Sequence, residues 1–247
     1  MGHYCCKKCG QRYDDCVCMS DTTPVVSLKA RFKSVSTAFN EGTFDCDFTK
    51  EQISSEPMFY RASLGFAWKN GGPITKSFLD KMPLSWWDSP VTIDSRCHML
   101  MPGWYPCIPG WHHDDVARTR SDGQPGYERE TYRAEHLIGL VNAEVAPTQF
   151  ALGEFDLEIP EVGKTVYKEW HPEVQKLVDC GKLATYNAKS GDIIWFDNHS
   201  WHRGVAATKS GWRWFIRVSR NTPRALDCKN EIRKQTQVYM TDINDGW

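Results

Sequence analysis

Two short segments of this sequence place histidines beside carboxylates at spacings that suit a metal ion. The first is His112–Asp115, which follows Trp111, and the second runs from Gly191 to His202. Two imidazoles and one carboxylate on one face of a metal, with the other positions open, are the ligands of a non-haem Fe(II) oxygenase. Residues two apart on a strand point to the same side, so one His-x-Asp pair supplies two of the three ligands.

The doubled residues of the first segment leave the register of that pair open. His112 with Asp114 and His113 with Asp115 have the same His-x-Asp spacing. The later segment offers a similar choice, since His199 stands three residues before His202. The spacing alone therefore predicts a metal site without settling which member of each pair is the ligand.

Strands are the elements that the sequence predicts around these residues. Five β-rich runs are bounded by Gly, Pro, Asn or Asp: Val25–Phe32, Ser95–Met101, His136–Val145, Asp192–Phe196 and Trp212–Ser219. Two helices are predicted, Thr75–Lys81 between two prolines and Pro172–Cys180 before Gly181. The pattern favours a mainly β protein with flanking helices, built on a barrel or sandwich.

Several motifs then follow one another in a fixed order. Trp111–Asp114 reads Trp-His-His-Asp, Gly191–Phe196 opens with Gly-Asp and ends on an aromatic residue, and His202 precedes Arg213 by eleven positions. This order resembles the Fe(II)/2-oxoglutarate dioxygenases of the double-stranded β-helix (jelly-roll or cupin-like) fold, nearest the phytanoyl-CoA hydroxylase-like branch. The resemblance covers roughly residues 95–220 and rests on these motifs. It implies His112, Asp114 and His202 as the iron ligands.

The resemblance also implies a binding site for 2-oxoglutarate. Arg213 matches the arginine that pairs with the far carboxylate of the co-substrate, a geometry that a planar guanidinium favours. Arg217 is the alternative, since it lies four residues on along the same strand face. Three further polar residues are expected to face the co-substrate pocket: Tyr105, Thr148 and Gln149.

The activity that the resemblance implies is hydroxylation of a substrate C–H bond by O2, with release of succinate and CO2. Related halogenases lack the ligand carboxylate, so the presence of Asp114 favours hydroxylation. Two other readings remain: a nucleic-acid-binding module with an inert barrel, and a zinc hydrolase that uses His112–Asp115. The hydrolase has no use for an arginine that binds a co-substrate.

The first residues of the chain form a separate cysteine-rich segment. Cys6, Cys9, Cys16 and Cys18 can surround one structural zinc ion, with Cys5 or His3 as substitutes. So short a segment has no core of its own, and a metal would supply its folding energy. We therefore expect a zinc knuckle over residues 1–22, joined to an oxygenase domain over residues 23–247.

Composition narrows the remaining choices. The chain has 247 residues and a net charge of −1, so its overall charge does not favour nucleic acid or membrane surfaces. The sequence contains neither an apolar run long enough to span a bilayer nor a signal region, which predicts a cytoplasmic protein. Nine Lys or Arg lie between Arg203 and Lys234, and others between Arg118 and Arg133. These clusters favour an acidic or phosphate-bearing substrate, with a slight preference for a nucleobase or nucleic acid.

Overall fold

Antiparallel strands make up most of the regular structure in residues 30–240, the part of the chain that this computed structural model describes. The strands are β1 Arg31–Ser36, β2 Ala38–Thr43, β3 Phe59–Tyr60, β4 Val91–Leu100, β5 Glu135–Val141, β6 Thr148–Glu158, β7 Ala184–Asn187, β8 Asp192–Asp197, β9 Trp201–Gly204, β10 Gly211–Arg220 and β11 Glu231–Ile232. The helices are α1 Lys50–Ser55, α2 Leu64–Asn70, α3 Pro73–Lys81, α4 Leu84–Trp87, α5 Val166–Asp179 and α6 Pro223–Leu226.

Two sheets carry the candidate site. The larger has five strands in the order β2-β8-β5-β10-β4, and the other joins β1, β6 and β7, with β9 also paired to β6. Every strand pair in both sheets is antiparallel. The fold is therefore mainly β with a few helices, as the sequence predicts.

Alternation along β10 gives the five-stranded sheet two different faces. Trp214, Ile216 and Val218 are fully buried in an apolar cluster that also contains residues of α1 to α4. The alternate residues Arg213, Phe215 and Arg217 point the other way and line a cavity. One strand thus packs against the helices on one side and supplies charged groups on the other.

Strand β4 follows the same rule beside β10. Ile93 and Cys97 join the apolar cluster of the helices, whereas Asp94, Arg96 and His98 line the cavity. The antiparallel register sets Asp94 opposite Arg217 and His98 opposite Arg213. Because the pairing fixes these positions, the charged side chains of the two strands meet on one face of the sheet.

A separate aromatic cluster packs α5 against the smaller sheet. Trp170 of α5 and Trp201 of β9 are fully buried there, together with Trp111 from the loop that precedes the first metal motif. The indole nitrogen of Trp201 donates a 2.8 Å hydrogen bond to Ser34 of β1. This packing holds β9 and the loop before His112 close to each other.

The structure tests the elements that the sequence predicts. The runs beginning at Ser95, His136, Asp192 and Trp212 correspond to β4, β5, β8 and β10. The sequence pattern does not predict β6, the longest strand of the described residues. It predicts that the helix corresponding to α5 begins at Pro172, which is too late. The helix begins at Val166 because Val166, Tyr167 and Trp170 are buried, and it carries the proline inside.

Other predictions concern residues outside the described part of the chain. The zinc knuckle of Cys6, Cys9, Cys16 and Cys18, with its boundary after residue 22, lies there and stays a prediction. Among residues 30–240, no helix is both long and apolar enough to cross a bilayer. The five cysteines of this part are free thiols.

Candidate metal centre

Three side chains from two segments meet at one point of the fold. The backbones of His112 and His202 form an antiparallel bridge, with N–O distances of 3.0 and 3.1 Å. Asp114 follows two residues after His112, and its Oδ2 lies 3.3 Å from Nε2 of His202. The potential ligand atoms of these three residues all lie within 4.8 Å of one another. The bridge therefore brings together the two histidines that are 90 positions apart in the sequence.

Backbone carbonyls orient both imidazoles. Nδ1 of His112 lies 2.7 Å from the carbonyl oxygen of Gly110, and Nδ1 of His202 lies 2.9 Å from that of Ser200. A carbonyl oxygen can only accept, so we assign the proton of each ring to Nδ1. Nε2 then becomes the basic nitrogen of each imidazole, the atom that a metal ion requires.

The electrostatics of His112 and Asp114 favour the ionisation states of metal ligands. Burial and the neighbouring His202 lower the pKa of His112 to about 4. Burial alone would raise the pKa of Asp114, but Arg217 and His202 hold that pKa well below its usual value. At neutral pH the site therefore offers a neutral imidazole at His112 and a carboxylate at Asp114, which need not lose a proton to bind a metal.

The alternative pair, His113 and Asp115, lies in different surroundings. The ring of His113 packs against Trp201, with 3.9 Å between ring centroids, and its Nδ1 is 2.8 Å from the hydroxyl of Tyr127. Asp115 contacts the guanidinium of Arg224 instead of an imidazole. Neither residue belongs to the group of three potential ligands.

The alternative distal histidine also lies outside that group. The Nε2 atom of His199 is hydrogen-bonded to Glu130, and its ring packs edge-on against Phe32. Asp197, two residues before His199, accepts a hydrogen bond from Ser200 and one from Arg133. The carbonyl of Ser200 is thus the group that orients the ring of His202.

Arg213 is a buried cation at the wall of a cavity of about 190 Å³ that also contains the three potential ligands. Its side chain is only 2% exposed. Its Nε donates a 2.6 Å hydrogen bond to the carbonyl of Ala146, and a terminal nitrogen lies 3.2 Å from Oγ1 of Thr148. Burial lowers the pKa of Arg213 to about 10, so the group stays charged at neutral pH. Within residues 30–240, no carboxylate pairs with it.

Arg217, the other candidate on β10, is already paired. Its guanidinium contacts Asp114 and lies 3.8 Å from Asp94. Burial would lower its pKa, but these carboxylates and Asp115 raise it. Of the two arginines, Arg213 is therefore the one with donors available to an incoming carboxylate.

Two of the predicted co-substrate residues lie elsewhere. Thr148 lines the cavity, but Gln149 is the next residue of β6 and points to the other face, where it bonds Asn187 and Arg203. Tyr105 is not part of the lining; its backbone pairs with Tyr239, whose side chain lines the cavity instead. Strand alternation thus turns Gln149 away from this cavity, and a contact distant in sequence brings Tyr239 to the wall where Tyr105 was expected; the co-substrate role of Gln149 and Tyr105 stays a prediction.

A second and larger cavity adjoins the same ligands. Its volume is about 640 Å³. Among residues 30–240, the lining residues that it shares with the smaller cavity are Ile108, His112, Asp114 and Arg217. The potential metal ligands thus stand between two spaces, one of which ends at Arg213.

Comparisons with known proteins give a distant structural likeness. No protein-family model and no curated protein sequence matches this chain. HygX from Streptomyces hygroscopicus, solved with nickel and 2-oxoglutarate bound, is 14% identical over 79% of this chain and 83% of HygX, with a TM-score of 0.35. Its iron-bound structure is 11% identical with a TM-score of 0.33. EvdMO1 is 17% identical over 55% of this chain, with a TM-score of 0.32, and the match spans only 28% of EvdMO1. Likeness at this level carries no conclusion about the activity of this chain.

Proposed function

We propose that this chain is a non-haem Fe(II) oxygenase with 2-oxoglutarate as co-substrate, built on a double-stranded β-helix of the phytanoyl-CoA hydroxylase-like type. One observation carries the proposal: a cavity that holds two histidines and a carboxylate also holds a buried arginine without a carboxylate partner among residues 30–240. The two histidines and the carboxylate suit Fe(II) and leave positions open for other ligands. The buried charge of Arg213 is costly unless an anion joins it.

The donor set and Arg213 together favour this cofactor pair over zinc hydrolysis. A hydrolytic zinc site needs three protein ligands and a water molecule, and nothing in that chemistry requires a second cation in the same cavity. A dicarboxylic 2-oxo acid that binds the metal at one end has a free carboxylate at the other end. Arg213 and Thr148 offer that carboxylate a charged donor and a hydroxyl.

With iron and 2-oxoglutarate bound, the site would supply oxidation of a substrate C–H bond by O2, coupled to conversion of 2-oxoglutarate into succinate and CO2. The protein's part is positioning and exclusion of water. Arg213 fixes the far carboxylate, and Arg217 contacts Asp114 and so restricts the rotation of that ligand. Ile138, Phe196 and Phe215 give the cavity apolar walls. Because Asp114 occupies the carboxylate position, we propose hydroxylation as the outcome.

The described residues do not favour the nucleic-acid-binding alternative. Eight of the nine cations between Arg203 and Lys234 bond other groups within residues 30–240: Arg203, Lys209, Arg213, Arg217, Arg220, Arg224, Lys229 and Arg233. Phosphate binding depends on Lys and Arg that face solvent with their charge available. The basic stretch therefore serves the interior and local ion pairs of this fold.

The direct test is turnover of the co-substrate. Purified protein with Fe(II), ascorbate and 2-oxoglutarate should form succinate slowly in air and none under argon, even before a substrate is known. His202→Ala should abolish this uncoupled turnover. His199→Ala is the matched control, because His199 bonds Glu130 outside the ligand group. Turnover that is unaffected by loss of His202, or that occurs without O2, would reject the proposal.

A further inference from the structure

The larger cavity is the remaining space beside the proposed metal ligands. Its volume of about 640 Å³ is within the range of sites for small organic molecules, about 300–1,000 Å³. It shares His112 and Asp114 with the smaller cavity, so a molecule inside it reaches the ligand group from a space that Arg213 does not line. This position suits the substrate, since the smaller cavity is assigned to 2-oxoglutarate.

The larger cavity is lined by more positively charged than negatively charged side chains. Arg118, Arg217 and Arg224 line it together with two carboxylates, Asp114 and Asp115. Arg217 contacts Asp114, and Arg224 contacts Asp115. One positive charge of the wall is therefore left over.

That surplus belongs to Arg118. Its described hydrogen bond is a 2.9 Å contact to the carbonyl of Gly123, and no carboxylate pairs with it within residues 30–240. The Nε atoms of Arg217 and Arg224 are also buried without a hydrogen-bond partner in the same part of the chain. Burial keeps these two Nε atoms from a molecule in the cavity, so we assign the available N–H donors of this wall to Arg118.

The cofactors would not remove the surplus. An Fe(II) ion adds two positive charges, and a 2-oxoglutarate dianion cancels them. Neutral donors, such as the hydroxyls of Tyr132 and Thr222, complete the polar wall, while Val116 and Pro125 give apolar surface. An anionic group on an otherwise uncharged molecule would match this lining, because Arg118 is an exposed side chain of the wall and keeps its charge available.

We propose that the substrate is a small organic anion, carrying a carboxylate or a phosphate, that binds in the larger cavity with its anionic group on Arg118. Its reacting C–H bond then lies toward His112 and Asp114. The identification of this anion as the substrate rests on the proposed function. The anion site itself depends only on the residues of the cavity. A nucleic-acid strand is the less favoured ligand, since the other two arginines of this cavity, Arg217 and Arg224, are already paired with Asp114 and Asp115.

The test is calorimetric titration of the full-length protein, saturated with Mn(II) and 2-oxoglutarate, with benzoate and with phenyl phosphate. Benzamide is the neutral counterpart of benzoate. We expect at least one anion to bind, and benzamide to bind at least about tenfold more weakly, because a charge-assisted hydrogen bond is lost. Binding of benzoate alone would assign a carboxylate substrate, and binding of phenyl phosphate alone would assign a phosphate.

Variants locate the bound anion. Arg118→Gln should weaken binding roughly tenfold or more, and Arg118→Lys should restore most of it because the charge returns. Arg129→Gln is the matched control: Arg129 is an exposed cation that does not line either cavity, and its loss should change affinity by less than about twofold. Thermal melts should show that each variant remains folded.

Several results would overturn the inference. It fails if neither anion binds, if benzamide binds as tightly as benzoate, or if the affinity for the anion is unchanged in Arg118→Gln. It also fails if the anion displaces 2-oxoglutarate, or if a single-stranded oligonucleotide displaces the anion in a manner that depends on Arg118. Binding of 2-oxoglutarate is measured separately in the same samples. If 2-oxoglutarate fails to bind while the Arg118-dependent anion still does, the oxygenase proposal fails and the anion site stands; the reverse result removes the anion site alone.

Discussion

His112 and His113 are neighbours in the chain, both are buried and both reach the larger cavity, yet their rings pack against different partners. His112 faces a cavity beside His202 and Asp114. His113 faces the aromatic cluster between α5 and the smaller sheet, where Trp201 covers its ring. Successive side chains of an extended segment point to opposite sides, so the backbone bridge from His112 to His202 decides both positions at once.

The two carboxylates show a parallel difference. Asp114 and Asp115 each contact an arginine, Arg217 and Arg224 respectively. Asp114 also lies 3.3 Å from an imidazole nitrogen of His202. The two His-x-Asp pairs have the same spacing in the sequence, and the fold distinguishes them by placing His202 beside one pair.

The largest expected effect comes from His112→Ala. Removing one of the three proposed ligands should lower the affinity for Fe(II) by more than about 100-fold, since even changes of residues that support a ligand cost 10- to 100-fold. Competition with a chelating indicator under argon measures this affinity. Affinity within a factor of three of wild type would show that the pair His112 and Asp114 has been assigned wrongly.

Arg213→Ala should act on the co-substrate alone. We expect the Kd of 2-oxoglutarate to rise roughly 100-fold with little change in metal affinity, because a buried charge-assisted contact is lost. Arg220→Lys is the matched control on the same strand, where Arg220 pairs with Glu135 outside both cavities. Equal effects of the two substitutions would remove the special role of Arg213.

His113→Ala should damage the fold and spare the metal. Deleting a buried ring that packs against Trp201 leaves a void, and the free energy of unfolding should fall by about 2–4 kcal/mol. Urea unfolding measures this change, and the indicator assay should give wild-type metal affinity within about threefold. Loss of metal binding in folded His113→Ala would reverse the comparison between the two histidines.

Acid should destabilise the metal-free protein through its buried histidines. Burial lowers the pKa of His98 to about 3 and that of His136 to about 4, and it lowers the pKa of His113 well below 6.5. Below about pH 6.5 the unfolded chain binds protons that the folded chain does not. The contribution of these histidines to the free energy of unfolding is therefore complete above this pH and declines as the pH falls. From pH 7 to 5 each such histidine costs at most roughly 2 kcal/mol. Urea midpoints measure the loss, which His113→Phe should reduce.

Asp115→Asn should have the smallest effect. Asp115 has a φ of 55°, in the left-handed region that Asn tolerates, so the backbone should not change. Loss of the partly exposed ion pair with Arg224 should cost about 1–2 kcal/mol, with metal affinity unchanged. A urea titration beside the indicator assay checks both quantities, and a large loss of metal binding would point to Asp115 as a ligand.

Much of the strand framework could be predicted from the sequence because its signals are local. The alternation of apolar and polar residues in β4 and β10 marks both strands. The same alternation was a signal for Arg96 and His98, which sequence reasoning missed although they follow Asp94 at intervals of two. Strand β6 was missed because Gly153 and its acidic residues weaken the strand pattern.

Contacts between distant segments could not be predicted in this way. The sequence analysis expects both Thr148 and Gln149 to face the co-substrate pocket. Adjacent residues of a strand face opposite sides, however, and of these two Thr148 reaches the cavity. Tyr239 reaches it through a bridge to Tyr105, a partner 134 positions away in the sequence. Such pairings depend on the completed fold, for which neither segment carries a local signal.

The most direct test of the central claim is an anaerobic titration of the metal-free protein with Fe(II) and 2-oxoglutarate. The claim predicts a weak visible charge-transfer band that needs both components, persists in His113→Ala and is absent in His112→Ala and Arg213→Ala. Absence of the band from folded wild-type protein that binds the metal would contradict the assignment of this cavity to Fe(II) and 2-oxoglutarate.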